Sequence, residues 1–565
     1  MLYQKSVIQI AQNSCNCCTS VLYYRQILPG GSRKKKKILC GLLVAAMMAG
    51  TMVSCGNSSD SNSTASGDNS TAASESSEGS EGSESAEAAG GYVPNFDEEP
   101  YTVKFLYLLA QEGDHFDEIQ QAASDVTLGD LNIQVELIPV TYGTIDSQLN
   151  TMLPAGESLD WFTCFAANQG TYYDSGYIYD LNDYASYMPN ITEWLGDGIG
   201  NCILGDAWVN VPSNYERCAW TCYLVRNDIM NEVGYTVENF EGIDLGDPEK
   251  FDEGAAKLTE LFAAVKEAHP EMVVLNGTMF LGTQSGCYVD GLSDGFGVLE
   301  NYGQTTTVTN WYESEQWRDF AELNKQWFDA GYASQDIGTN VDSIEPILKA
   351  GNTFAGLCNA KPNTVPEKLS QTAQDIEVIK LSKTMLSGGN YGNGFCLSTA
   401  SENPEAAAAW YNYIFESGEF NDIINWGIEG KDWVVNEDGL AAYPEGADVN
   451  AVGYHNDYGW IYPNQMAGHA WEGNEPDIWD QYDEFNQGDV VSEGFGFRYD
   501  NRPVLNQVIA CQAVNTQYQA AIVRGTESDM DAAIDEYNEK LYEAGLQDII
   551  DEKQKQLDAW LASKG

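Results

Sequence analysis

The chain has 565 residues, with 28 Lys or Arg against 85 Asp or Glu and a formal net charge of −57. A body this acidic is repelled by nucleic acid and by anionic membrane faces, which excludes both as partners. Thirteen cysteines and four histidines are present, but no CxxC pair occurs beyond residue 54, so neither a metal site nor a cofactor is expected.

The first segment carries a targeting pattern. Arg33 and Lys34 to Lys37 form a basic cluster, and an uncharged, mostly apolar run follows from Ile38 to Val53. A basic flank, a short apolar run and a small-residue end read as a secretory signal; the run is shorter than the roughly 20 apolar residues a spanning helix needs. Met52-Val53-Ser54-Cys55 resembles the bacterial lipobox, with Met52 where Leu is usual, which makes Cys55 the expected lipidated first residue of the mature protein. Residues 1–31 match no targeting pattern and read as a mis-called start, so 1–54 is leader. Without it the body holds 21 Lys or Arg against 85 acids, a net of −64. Residues 55–91 are the anchor cysteine and a Ser, Gly, Ala and Glu spacer too polar to fold. The expected location is the outer face of the cell membrane, held by lipid alone.

Beyond the spacer, strand-like runs alternate with helical patterns, as βαβ units do. Strands are predicted at 101–107, 132–140 and 161–165, separated by helices near 114–125 and 143–154. This predicts an α/β fold with a parallel sheet, whose ligands gather beyond the carboxyl ends of the strands. Later helices are predicted at 249–268 and 315–331. Asn403-Pro404-Glu405 is a strong helix start, with a capping side chain, a first-turn proline and an acid at the positive helix end. Two final helices, 527–543 and 546–563, part at Gly545. The body cysteines sit mostly in apolar runs and read as buried thiols, though Cys218 and Cys222 could pair. Asp336 to Asp342 has oxygen ligands at alternate positions but lacks the glycine and closing Glu of a calcium loop.

Thr151 to Phe162 (TMLPAGESLDWF) resembles a turn of family 1 extracellular solute-binding proteins. Asn425 to Trp433 (NWGIEGKDW) resembles a segment of one lipoprotein branch of that family, with Asp432-Trp433 in place of the familiar His-Tyr. Phe495 to Val504 (FGFRYDNRPV) resembles the opening of that branch's C-terminal domain, DUF3502, and Glu552 to Trp560 fits its ending. The resemblance spans roughly 98–565. It implies a two-lobe, periplasmic-binding-protein-like (type II) fold with hinge-crossing strands and a helical C-terminal extension over 495–565. Lobe 1 would hold 98–215 and 376–430, and lobe 2 220–370 and 431–490. The crossings would fall near Asn214 to Thr221 and Gln374 to Ser382, with the last helices packed on the outside. It further implies a monomeric, non-catalytic receptor that passes a carbohydrate, expected to be an oligosaccharide, to ABC permease subunits. A peptide or other small polar solute in the same fold, and a secreted glycosidase, are the competing functions.

Sugar recognition asks for flat rings against C–H faces and for amides against hydroxyls. Asn168, Tyr172 and Tyr173 follow the third strand. Tyr215 and Trp220 lie on the first crossing. Asn390, Tyr391 and Asn393 sit in the glycine-rich loop 388–394, which lacks the Lys-Ser/Thr ending of a phosphate loop. Trp460, Asn464 and Trp471 fall in a polar, aromatic stretch. These eleven are the candidate ligand residues. Trp410 and Trp560, at helical spacing among apolar neighbours, read as core.

Overall fold

The structure, a computed structural model, describes residues 91–564 except 110–112, 114, 284–287, 335–336, 340–343, 449–450 and 457. The expected leader, Cys55 and the spacer up to residue 90 lie outside the described residues, as do Cys287 and most of 336–342.

Nine strands build the two main sheets: β1 Tyr101–Leu108, β2 Ile133–Val140, β3 Trp161–Cys164, β4 Val211–Pro212, β5 Trp220–Arg226, β6 Val273–Leu275, β7 Thr353–Ala360, β8 Ile376–Lys380 and β9 Gly394–Leu397. The first sheet runs β2-β1-β3-β9-β4. Its first three strands are parallel, with Tyr101 opposite Ile133 and Phe105 opposite Trp161; β9 returns antiparallel, Gly394 opposite Cys164. Because successive side chains alternate, Phe105 and Tyr107 enter one core with Trp161, Phe395 and Trp410, while Leu106 and Leu108 enter another with Leu149 and Phe162. Burial on both faces is why β1 reads as an almost unbroken apolar run. Helices Phe116–Leu131, Pro404–Glu416 and Gly418–Trp426 cover the first face, and Ile145–Ala155 the second. Asn403 caps its helix by accepting from the Ala406 N–H at 3.2 Å.

The second sheet runs β8-β5-β7-β6, with β5 antiparallel to both neighbours and β6 parallel to β7. Tyr223 and Val225 of β5 face a core filled by Phe262 of helix Phe251–Ala268 and by Phe320 and Trp327 of helix Glu315–Asp329. On the other face Cys222 lies directly opposite Cys358, the two sulfurs 3.3 Å apart. Cys222 is thus turned toward β7 and not toward Cys218.

Several segments fall elsewhere than the sequence division puts them. Residues 376–380, assigned to the first lobe, form β8 of the second sheet because they pair with β5 along their whole length. The chain crosses back between β8 and β9, over 381–393, and not at 374–382. Within the stretch assigned to the second lobe, Asp432, Asn456 and Tyr462 dock on the first: Asp432 bonds His115 at 2.8 Å, and Asn456 and Tyr462 both donate to the Leu108 carbonyl. The C-terminal helices, expected outside, complete the second core instead. Ile534, Tyr537, Leu541, Ile549 and Leu557 of Met530–Glu543 and Leu546–Lys564 are buried there. A further helix, Leu505–Val523, precedes them; it carries no charged residue, so no polar stripe marks it in the sequence. Lys553, fully buried, locks the last helix in place, donating to Asp294 at 2.6 Å and to the Phe296 and Gly297 carbonyls at 2.9 Å. Among the described residues no helix is long and apolar enough to cross a membrane.

Candidate functional site

The carboxyl ends of β1, β2 and β3 gather aromatic rings. Tyr142, in the turn after β2 and 42% exposed, meets Phe165, the residue after β3, edge to face at 5.6 Å. At the end of β1 the Leu108 carbonyl accepts Asn456 Nδ2 at 3.0 Å and the Tyr462 hydroxyl at 2.9 Å, which brings the loop between them to the same edge. That loop carries Tyr458 and Trp460, their rings 6.4 Å apart. Phe165, Tyr173, Tyr458 and Trp460 are all half-buried against one core, that of Phe162, Cys164 and Ile461.

The same loop touches the first crossing. The Asn214 N–H donates to the Pro463 carbonyl at 3.0 Å, and its side-chain amide donates to Asn464 Oδ1 at 3.0 Å. The Tyr215 hydroxyl bonds the Asn393 side chain of the second crossing, and burial, with Glu216 adding to it, pushes that hydroxyl above its ordinary pKa. Lys361, just past β7, pairs with Glu216 at 2.8 Å. Burial disfavours the Lys361 charge, yet Glu216, Tyr482 and Glu367 together hold its ammonium above the usual range. Within nine residues of this crossing, Ser213 Oγ, Asn214 Oδ1, Glu216 Oε2, Trp220 Nε1 and Thr221 Oγ1 are buried without a hydrogen-bond partner among the described residues. Buried polar atoms are nearly always satisfied, so this concentration makes the crossing a candidate place for a polar ligand. The rings at the carboxyl ends and the polar atoms of the crossing are linked through the bond between Asn214 and Asn464.

The candidate residues divide. Tyr215 and Asn393 come together, Asn464 joins them through Asn214, and Trp460 lies a few residues along the same loop. Asn168 stands at the start of helix Ala166–Asp174, bonded to Asp146 at 2.8 Å, with Tyr173 half-buried one turn on. Trp220 has Lys380 Nζ 5.0 Å over its ring and Phe485 edge-on at 4.9 Å, so its ring is occupied, and its N–H is buried without a hydrogen-bond partner among the described residues. Tyr172 is corrected to a packing residue: only 4% exposed, it packs edge-on against Phe162 in the core. Tyr391 is likewise corrected; it is 4% exposed and packs behind its loop against Phe495. Trp471 belongs to a separate aromatic cluster with Trp426, Tyr443 and His455 at 4.6–4.7 Å. The Asn390 side chain lies outside the described ones. Trp410 is fully buried core, whereas Trp560 is half-buried under Lys564. Tyr142, Phe165 and Asn214, which lie beside these residues, are not among the eleven candidates, although the carboxyl-end rule applied to β2 as well as β3 points to the first. Two cavities of about 550 and 510 Å3 lie among other residues, the first beside Asp422, Trp433 and His469 and the second beside Asp244 and Lys383.

Two lobes on separate sheets, joined by crossings at 213–219 and 381–393 that carry polar groups, define a two-lobed solute-binding protein. The chain belongs to the bacterial extracellular solute-binding proteins, whose sequence profile matches residues 121–427, and it carries a domain of unknown function, DUF3502, over 493–562. A relative described as a carbohydrate ABC transporter substrate-binding protein, from Streptococcus pneumoniae, is 21% identical over 486 residues, 81% of this chain and 91% of its own length. The N-glycan transport solute binding protein NgtS of Streptococcus pneumoniae superposes with a TM-score of 0.67 at 19% identity, over 82% of this chain and 100% of that one. Its complex with Man1GlcNAc gives 0.61 at 20% identity, over 82% and 99%. At these identities the likeness to the solved structures is one of fold.

Proposed function

We propose that this chain is a lipid-anchored, monomeric receptor that captures an oligosaccharide outside the cell and delivers it, unaltered, to the permease subunits of an ABC importer. The observation that carries this reading is the ring platform of Tyr142, Phe165, Tyr458 and Trp460 joined by one loop to the crossing with its five unpartnered polar atoms. Pyranose C–H faces stack on such rings, and sugar hydroxyls both donate and accept, which meets Asn214 Oδ1 and Trp220 Nε1 alike. Asn168, Tyr173, Tyr215, Asn393 and Asn464 complete the proposed site, and Cys55 is the proposed anchor. A relative named for carbohydrate transport and a structural neighbour named for N-glycan transport support the solute class.

Calorimetric titration with Man1GlcNAc, Man5GlcNAc, other neutral oligosaccharides and peptides tests it. Saturable binding of an oligosaccharide is expected, with a stability gain of about 2.7 kcal/mol at 100 times the dissociation constant. Binding confined to peptides, or steady release of shortened sugars, overturns the reading. Cys55→Ala is expected to move the protein from the membrane fraction to the medium.

A further inference from the structure

We infer that the C-terminal domain of unknown function positions the loop 388–394, through a relay that starts at Arg498. This rests on the reading of that loop, by way of Asn393, as part of the sugar site.

The segment 495–502 is a strap between the lobes. Phe497 and Tyr499 are buried in the second core, whereas Phe495 packs on the first core. The Gly496 N–H donates to Asn201 Oδ1 of the first lobe at 3.0 Å, and Gly200 and Gly496 approach so closely that a side chain at Gly200 would strike the Gly496 carbonyl. Arg502 anchors the far end by pairing with Asp174 of the first lobe.

Arg498 reaches from this strap into the first lobe. Its Nη2 donates to Gln169 Oε1 at 2.8 Å and its Nη1 to Asn210 Oδ1 at 3.2 Å. Both amides are fully buried. A guanidinium only donates, so it fixes each amide with its oxygen toward Arg498 and its NH2 group away. Those NH2 groups are what hold the loop: Gln169 Nε2 donates to the Gly392 carbonyl at 2.7 Å, and Asn210 Nδ2 to the Tyr391 carbonyl at 3.0 Å. Two consecutive loop carbonyls are thus pinned by two amides that one side chain orients, and the next residue, Asn393, bonds Tyr215. The acceptors of Arg498 are uncharged, the third being the Cys202 carbonyl at 3.5 Å. A partly desolvated cation held by neutral oxygens gains little ion-pair energy, and its geometry is what it contributes. Arg498 is a positioning residue.

Hydrogen–deuterium exchange on the full, sugar-free chain provides the test. In Arg498→Met, amides of 386–396 are expected to exchange about tenfold faster, while those of β1 and of helix 530–543 keep wild-type rates. Arg498→Lys, which keeps a cation but loses the fork, is expected to fall between. Unchanged exchange at 386–396, or acceleration spread evenly over the chain, overturns the inference. If Arg498→Met does not fold, Asn210→Asp decides: it keeps an acceptor for Arg498, adds a charge that the guanidinium pairs with, and replaces the donor to Tyr391 by an acceptor. Faster exchange confined to 386–396 in that variant supports the relay, and a wild-type profile overturns it. No sugar takes part, so the result is separate from whether a glycan binds.

Discussion

Trp460 and Trp220 show why two tryptophans in one region make different contributions. Trp460 lies half-buried beside Tyr458 with its neighbours beneath it, whereas the Trp220 ring is occupied by Lys380 and Phe485. In the proposed site a pyranose would stack on the first and meet the second at its N–H. Trp460→Ala is therefore expected to weaken oligosaccharide binding about tenfold in calorimetry, in the range of an aromatic anchor, while the fold persists. Trp220→Phe keeps a ring and removes the donor; a loss of roughly fivefold is expected from one hydrogen bond. His455 makes a different prediction. Packed among Trp426, Tyr443 and Trp471, it has its pKa pushed by burial down to about 4. In the unfolded chain it titrates near 6.5, so the neutral ring's contribution is complete above that pH and is lost as pH falls through the folded value. Melting curves between pH 7 and 4 should fall more steeply for the wild type than for His455→Gln.

At the scale of elements, the last helix is held by one buried cation. Lys553→Met removes the cation that pairs with Asp294 and faces buried Asp290, and breaking such a pair typically costs about 3–5 kcal/mol. A lower melting temperature, with exchange raised first in 546–564, is the expected outcome. The motif Asn425 to Trp433 has a similar structural basis. Asp432 accepts from His115, from the Ile428 N–H at 2.9 Å, and from the Gly453 and Tyr454 N–H groups at 3.2 Å. Gly427 stands at φ 92° with no room for a side chain beside that carboxylate. These elements also mark how far sequence reaches. β1 and β2 were legible because continuous and alternating apolar runs reveal burial on two faces or one, and Asn403 because capping is local. β8 was placed only as part of a crossing and of the first lobe, because which sheet it joins depends on β5, far away in the chain. Tyr172 and Tyr173 are neighbours in sequence yet point about 100° apart on their helix, one inward and one toward the rim, and residue type alone does not say which.

At the scale of the molecule, the proposed sugar contacts both crossings and the first lobe's ring platform, so closure around the crossings brings its two sets of contacts together. Small-angle scattering should then give a smaller radius of gyration with saturating oligosaccharide, since ligand selects the form that binds it better. An unchanged radius with full occupancy would confine recognition to one lobe.

The second core joins Tyr223 and Phe262 to Tyr537 and Leu557, partners separated by roughly 300 residues, and contacts so distant in the chain are made late. A polypeptide made from its N-terminus presents Tyr537 and Leu557 long after Tyr223 and Phe262. The second core therefore stays incomplete until helices 530–543 and 546–564 have joined it.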